Sequence, residues 1–304
     1  MQNTPELLHS GDKVAVLSSA RLITLQEIQP AVNLFDSWGL DVCLGSTIGK
    51  KCGQFAGSDK ERAEDIQHML EDKDIKAVFF ARGGYGTVRI LDIVDWQPLK
   101  TNPKWLVGYS DVTAALMHVF FTLNMPSLHA IMPVNITDNS DNTAVLTLKN
   151  ALFTGTNRLT AKAHKLNIQG DAEAVMVGGN LSVIYSLTGS ESFGDTAGKI
   201  LFIEDLDEYL YHIDRMMQAL KRAGKLSGLK ALVVGQMSGM HDNAVPFSQD
   251  AYEIIYNCVK QYNYPVCFGI PSGHIGTDNH ALLHGVKTSL HIDDDGVTIN
   301  QSLL

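Results

Sequence analysis

The chain has 304 residues, of which 45% are hydrophobic and 19% charged, and its formal net charge is -9 at pH 7. Such a composition holds enough apolar material for packed cores and excludes a mainly disordered chain, while the length suits about two domains. A net negative field repels nucleic acid, no basic stripe offsets it, and no apolar run nears the ~18 residues of a membrane span, so neither partner is expected. The opening MQNTPELLHSGDK has no basic stretch followed by an apolar one, which argues against a secretory signal. The four cysteines, Cys43, Cys52, Cys258 and Cys267, lack CxxC spacing and read as free thiols of a reducing, cytoplasmic setting.

Strand and helix alternate along the first half. Lys13–Ser18 reads as a strand, Leu25–Trp38 as a helix stopped by Gly39, and Leu40–Leu44 as a strand. Asp59–Glu71 carries acids early and apolar residues at helical spacing, which predicts an amphipathic helix. Ala77–Ala81 is a fully apolar strand leading into Arg82-Gly83-Gly84-Tyr85-Gly86, and Lys104–Tyr109 is a strand before a helix over Asp111–Leu123. Apolar runs without period-two alternation predict a parallel sheet covered on both faces. Periodicity fades from Leu148 to Leu166, so a linker is expected over 151–167, between domains at 1–150 and 168–304. Beyond it, Lys199–Ile203, Lys230–Val234 and Val266–Ile270 read as strands, and Tyr211–Ala223 and Gln249–Gln261 as helices. The tail from His284 to Ile299 reads as paired short strands around Asp294-Asp295-Gly296. Two α/β domains are the expectation.

Four places carry chemistry. The glycines after Ala77–Ala81 can aim amides into a cleft, as an anion or oxyanion site, or simply make a tight turn. A nucleotide loop is disfavoured because neither G-x-G-x-x-G nor G-x-x-x-x-G-K-[ST] occurs. Ser110 stands between a strand and a helix, where a sharp turn would expose its hydroxyl and let the Asp111 amide face an oxyanion. Either residue could instead just cap the helix, and Val112 replaces the second glycine of G-x-S-x-G. Glu204 and Asp205 close the strand KILFI; Asp207 and Glu208 should be more solvated. His274 lies between Gly273 and Gly276 after another strand. Serine, acid and histidine at strand ends suit nucleophilic acyl transfer, whereas no H-x-x-x-H or H-E-x-x-H pair suggests a metal.

Seven segments then resemble the LD-carboxypeptidase family of serine peptidases, which includes murein tetrapeptide carboxypeptidases and microcin C immunity proteins. They are Leu8–Asp12, Phe55–Asp59, Ala81–Gly86, Gly108–Thr113, Gly178–Ser182, Ile203–Asp205 and Gly273-His274, in that order through nearly the whole chain. The resemblance implies a Ser110, Glu204, His274 triad and an oxyanion hole from the amides of Gly84 and Asp111. It also implies a metal-independent, cofactor-free homodimer. The active site would lie between an N-terminal parallel-sheet domain of flavodoxin or Rossmann type and a C-terminal β-rich α/β domain. The substrate would be a murein tetrapeptide losing its terminal D-alanine during cytoplasmic cell-wall recycling. Two stretches depart from the family pattern: Ser18-Ser19-Ala20-Arg21 replaces a Pro-Ala-Ser-like segment, and His129-Ala130-Ile131-Met132 replaces His-Gly-Pro-Met. Both are expected near the cleft. Arg82 is the candidate for the terminal carboxylate, or else a salt-bridged structural residue. The alternatives are the same chemistry on a microcin-type peptidyl nucleotide, and a two-domain ligand-binding protein without catalysis.

Overall fold

Strands that are apolar at every position need cover on both faces, and the first half supplies it. In the computed structural model, which describes residues 3–137 and 142–303, five parallel strands form the body of the six-stranded first sheet. These are β1 (Lys13–Leu17), β2 (Asp41–Leu44), β3 (Ile75–Phe80), β4 (Trp105–Gly108) and β5 (Ser127–His129), in the order β2-β1-β3-β4-β5. Val14 and Val16 pack with α1 (Leu25–Ser37) and α4 (Thr143–Thr154), while Ala15 and Leu17 pack with α2 (Asp59–Glu71) and α3 (Thr113–Leu123). Capping boxes start the first two of these helices, with Thr24 and Glu27 at α1 and Ser58 and Glu61 at α2. Each closes two otherwise open backbone or side-chain partners and fixes where the helix begins.

The second sheet runs β10-β9-β8-β7-β12-β13-β6. Its strands are β6 (Thr156–Lys162), β7 (Gly170–Asn180), β8 (Ile200–Leu206), β9 (Ala231–Ser238), β10 (Val266–Cys267), β12 (Lys287–Ile292) and β13 (Gly296–Ser302). From β10 to β7 the pairing is parallel; from β7 to β6 it is antiparallel. Three helices, α5 (Leu181–Ser186), α6 (Leu210–Arg222) and α7 (Ala251–Val259), cover the parallel part. Their apolar residues join those of α2 and α3 in one continuous core, so the two sheets are held through their helical layers. No helix among the described residues is long and apolar enough to cross a membrane.

Three expectations need correction. The interval 151–167 is not a bare linker: it holds the last turn of α4 and all of β6. The strand Thr156–Lys162 is polar because only Asn157 and Leu159 are buried, and it sits at the sheet edge beside β13. Nor does the second half keep to its own sheet. Its strand β11 (Leu282–His284) crosses back and pairs antiparallel with β5 at the edge of the first. The residues Ser110–Val112 form a short 3-10 turn, so α3 begins at Thr113 rather than Asp111.

Candidate active site

In parallel α/β sheets ligands bind beyond the carboxyl ends of the strands, near the point where strand order reverses. A cleft of about 430 Å³ lies there, lined by segments that follow β1, β3, β4, β5, β7, β8 and β10. Its volume suits a small molecule or short peptide. Ser110, Asp111, Gly84, Arg82 and His274 all line it; Glu204 lies behind, fully buried.

Ser110 has φ 61°, in the left-handed region that non-glycine residues avoid. This follows from chain reversal in three residues, from the buried end of β4 into the turn before α3. The same reversal packs Val112 over Gly108, where a Cβ would meet Val112 Cγ1 at 2.9 Å. Gly83 is equally constrained from the other side, since a Cβ there would come 3.1 Å from Ser110 Cβ. The glycine of G-x-S-x-G that is missing from the sequence is therefore not needed for the turn. A strained backbone at a cleft-lining hydroxyl is a recurrent mark of functional sites.

The Asp111 side chain faces inward and accepts hydrogen bonds from Thr87 N at 2.9 Å and Gly86 N at 3.3 Å. It thus ties the glycine loop to the Ser110 turn, and burial pushes its carboxyl above the usual range. Behind the loop, Arg62 of α2 is wholly buried and donates to Ser19 O and to Gly86 O, the latter at 3.0 Å. Among the described residues, neither the Gly84 N–H nor the Asp111 N–H has a hydrogen-bond acceptor. Two open amides beside a serine hydroxyl are what an oxyanion requires.

Strand alternation separates the two adjacent acids. Glu204 lies on the face of Ile200 and Phe202, and its Oε2 is 2.7 Å from His274 Nδ1. Asp205 lies on the opposite face, where it accepts from Asn180 Nδ2 at 2.9 Å and Ser182 N at 2.8 Å. Burial, with the charge of Glu204, pushes the Asp205 carboxyl up to about 7. Glycine at 273 makes the Glu204 contact possible, because a Cβ there would sit 2.8 Å from Glu204 Oε2. A carboxylate only accepts, so His274 Nδ1 carries the proton and Nε2 is left as the basic nitrogen. Burial works against an imidazolium, but the hydrogen bond and charge of Glu204, helped by Asp205, outweigh it and hold His274 above its ordinary value of 6.5. The other oxygen, Glu204 Oε1, is buried with no partner among the described residues, so this carboxylate depends on His274 for compensation. Tyr109 packs its ring 4.8 Å from the imidazole and limits its rotation.

The remaining expected residues divide. Arg82 is half-buried and bonded to Glu27 Oε1 at 3.4 Å, the salt-bridged alternative. Asp207 is largely solvated at 75% side-chain exposure, but Glu208, at 21%, is not; they pair with His241 and His212 respectively. Sequence reasoning missed Arg62 and Asn180. Arg62 shares a helical stripe with Ile66 and Met69, which placed it on the buried face of α2. Asn180 ends the Gly178-Gly179 run and caps α5 by accepting from Val183 N. Gly179 brings it against α3, where Thr113 Oγ1 accepts from Asn180 N at 3.0 Å. Among the described residues no hydrogen bond joins Ser110 Oγ to His274; such pairs commonly tighten only around substrate.

Known proteins resemble the chain over both of its halves. Residues 14–130 match the LD-carboxypeptidase N-terminal domain and residues 173–290 the LD-carboxypeptidase C-terminal domain. A probable murein peptide carboxypeptidase of Bacillus subtilis (strain 168) is 33% identical over 299 residues, covering 94% of this chain and 91% of that one. The microcin C7 self-immunity protein MccF of Escherichia coli is 24% identical, over 97% and 94% of the two chains. In fold, the crystal structure of muramoyltetrapeptide carboxypeptidase from Oxalobacter formigenes superposes with a TM-score of 0.87 at 24% identity, covering 95% of this chain and 98% of that one. The chain belongs to the LD-carboxypeptidase family.

Proposed function

We propose that this protein is a serine L,D-carboxypeptidase that removes the terminal D-alanine of murein tetrapeptides during cell-wall recycling. The observation that carries the reading is the buried Glu204–His274 pair, 2.7 Å apart, opening on the same cleft as the strained Ser110. Ser110 Oγ attacks the scissile carbonyl carbon as its proton passes to His274 Nε2. The amides of Gly84 and Asp111 receive the carbonyl oxygen as it gains charge. Glu204 holds the Nδ1–H tautomer and stabilises the imidazolium. As the C–N bond breaks, His274 returns that proton to the departing D-alanine amine. Water then attacks the acyl-enzyme with the same histidine as base, releasing the tripeptide and restoring the serine.

The likeness to the microcin C7 self-immunity protein favours a second reading, the same steps on a peptidyl or aminoacyl nucleotide conjugate. One assay separates them. Purified protein is incubated with murein tetrapeptide and, separately, with an aminoacyl sulfamoyl nucleoside, and the products are followed by mass. Free D-alanine with the first substrate and no turnover of the second is expected. The reverse outcome moves the protein to the second reading, and turnover of neither overturns both.

A further inference from the structure

The order β2-β1-β3 makes the gap between the ends of β1 and β3 the reversal point of the first sheet. Beyond β1 the chain passes through Ser18-Ser19-Ala20-Arg21, and beyond β3 through Arg82-Gly83-Gly84. The two segments meet at Arg21 and Gly84. A Cβ on Gly84 would lie 2.5 Å from Arg21 Cδ and 2.7 Å from Arg21 Nε, so the arginine stem occupies the space that a side chain at 84 would fill. The Arg21 backbone is fixed: Ser18 Oγ donates to Arg21 O at 2.8 Å, and residue 21 bridges antiparallel to Phe55. Its guanidinium is not fixed. It is exposed in the cleft, and among the described residues it has neither ion pair nor hydrogen bond. Arg82, the other arginine of the cleft, is occupied by Glu27 Oε1 at 3.4 Å and Leu22 O at 3.5 Å.

We infer that Arg21, rather than Arg82, binds the terminal carboxylate of the peptide and makes the enzyme specific for free C-termini. The inference deepens the proposed function and rests on it. In a peptide losing its last residue, only the amide nitrogen and one Cα separate the scissile carbonyl from the terminal carboxylate. The cation that holds that carboxylate must therefore stand beside the group that holds the oxyanion. Arg21 packs directly on Gly84, whose open amide is one of the two proposed oxyanion donors, and Gly83 next to it touches Ser110. A guanidinium offers two parallel N–H donors that match a carboxylate, and an unpaired one leaves that interaction to the ligand.

The test compares a tetrapeptide ending in D-alanine with the same peptide ending in D-alaninamide. In otherwise unaltered enzyme, Arg21→Gln should raise KM for the free acid roughly 10- to 100-fold, the loss of one charge-assisted contact, with kcat changed less than about threefold. Turnover of the amide should be unaffected, Arg21→Lys should recover part of the loss, and Arg82→Gln should keep the wild-type preference for acid over amide. A wild-type preference in Arg21→Gln, or its disappearance in Arg82→Gln instead, overturns the assignment. Binding of both peptides to Ser110→Ala, with and without Arg21→Gln, separates this inference from the proposed chemistry. Acid-selective binding that needs Arg21, in a protein that releases no D-alanine, would leave the anchor standing and sink the peptidase reading. Absence of acid-selective binding would sink the anchor even if D-alanine is released.

Discussion

The two walls of the cleft are built by different means. On the first-sheet side the functional elements are backbone: a left-handed serine, a glycine loop with open amides, and turns tied by Asp111 and Arg62. On the second-sheet side they are side chains brought together over long separations, as with Glu204 and His274, 70 residues apart. The first wall is made of turns and open amides, and the Asp111 and Arg62 side chains hold those turns to one another. The second depends on a buried charge placed by strand alternation, and a change of one atom there reaches the chemistry directly. A nucleophile needs a position; a base needs a tuned affinity for a proton.

The largest expected effect attacks the first wall at its one reactive atom. Ser110→Ala should lower kcat by roughly 10⁴-fold or more while the melting temperature stays near wild type, because a small hydroxyl contributes little packing. A variant with a tenth of wild-type turnover and matched melting would remove Ser110 as nucleophile.

The second wall is sharpened by its adjacent acids. Glu204→Gln should cost roughly 10²- to 10⁴-fold, mainly in kcat, because it removes the charge that stabilises the imidazolium and can favour the wrong tautomer. Asp205→Asn alters the acceptor of Asn180 and Ser182 instead, so its larger cost, about 1–3 kcal/mol, should appear in denaturant unfolding. Steady-state kinetics and unfolding on both variants decide it; a dead Asp205→Asn beside a near-silent Glu204→Gln would move the acid by one residue.

The smallest effect is a shift of pH profile. The proposed base is neutral His274, and its pairing raises its affinity for a proton, so kcat/KM should fall on the acid side with an apparent pKa above 6.5. In Glu204→Gln the largest raising charge is gone while burial, which lowers, and the weaker charge of Asp205 remain, so the residual activity should have its acid limb at lower pH than in the wild type. The linked stability has the same sign. The raised affinity contributes fully below 6.5 and is lost as pH rises through the folded value. An acid limb that does not move between the two enzymes would show that Glu204 does not tune the base.

Elements governed by neighbours in the chain were the legible ones. Asp59–Glu71 is bounded as its acids and apolar spacing predicted, because its capping box and its stripe of Ile66, Met69 and Leu70 all lie within one helix. Ser110 was readable for a similar reason, as KWLVGYSD is a buried strand running into a short turn. β6 and the first half of β7 were not. Their residues alternate between exposed and buried in β6 and between exposed and partly buried in β7, and what makes them strands is the antiparallel pairing with β13 and β12 more than 100 residues away.

The same division holds for the site. By itself the sequence determined which residue types stand at strand ends: a serine after β4, two acids after a buried apolar run, and a histidine between glycines. Only the tertiary structure decided which acid faces the histidine, because Glu204 and Asp205 are equivalent in composition and differ solely in the face that the β8 register gives them. It likewise decided which arginine is free, since the pairing of Arg82 with Glu27 joins the end of β3 to the first turn of α1. Local propensities act over a few residues, whereas a charge is satisfied or left open by whatever the fold brings within about 4 Å of it.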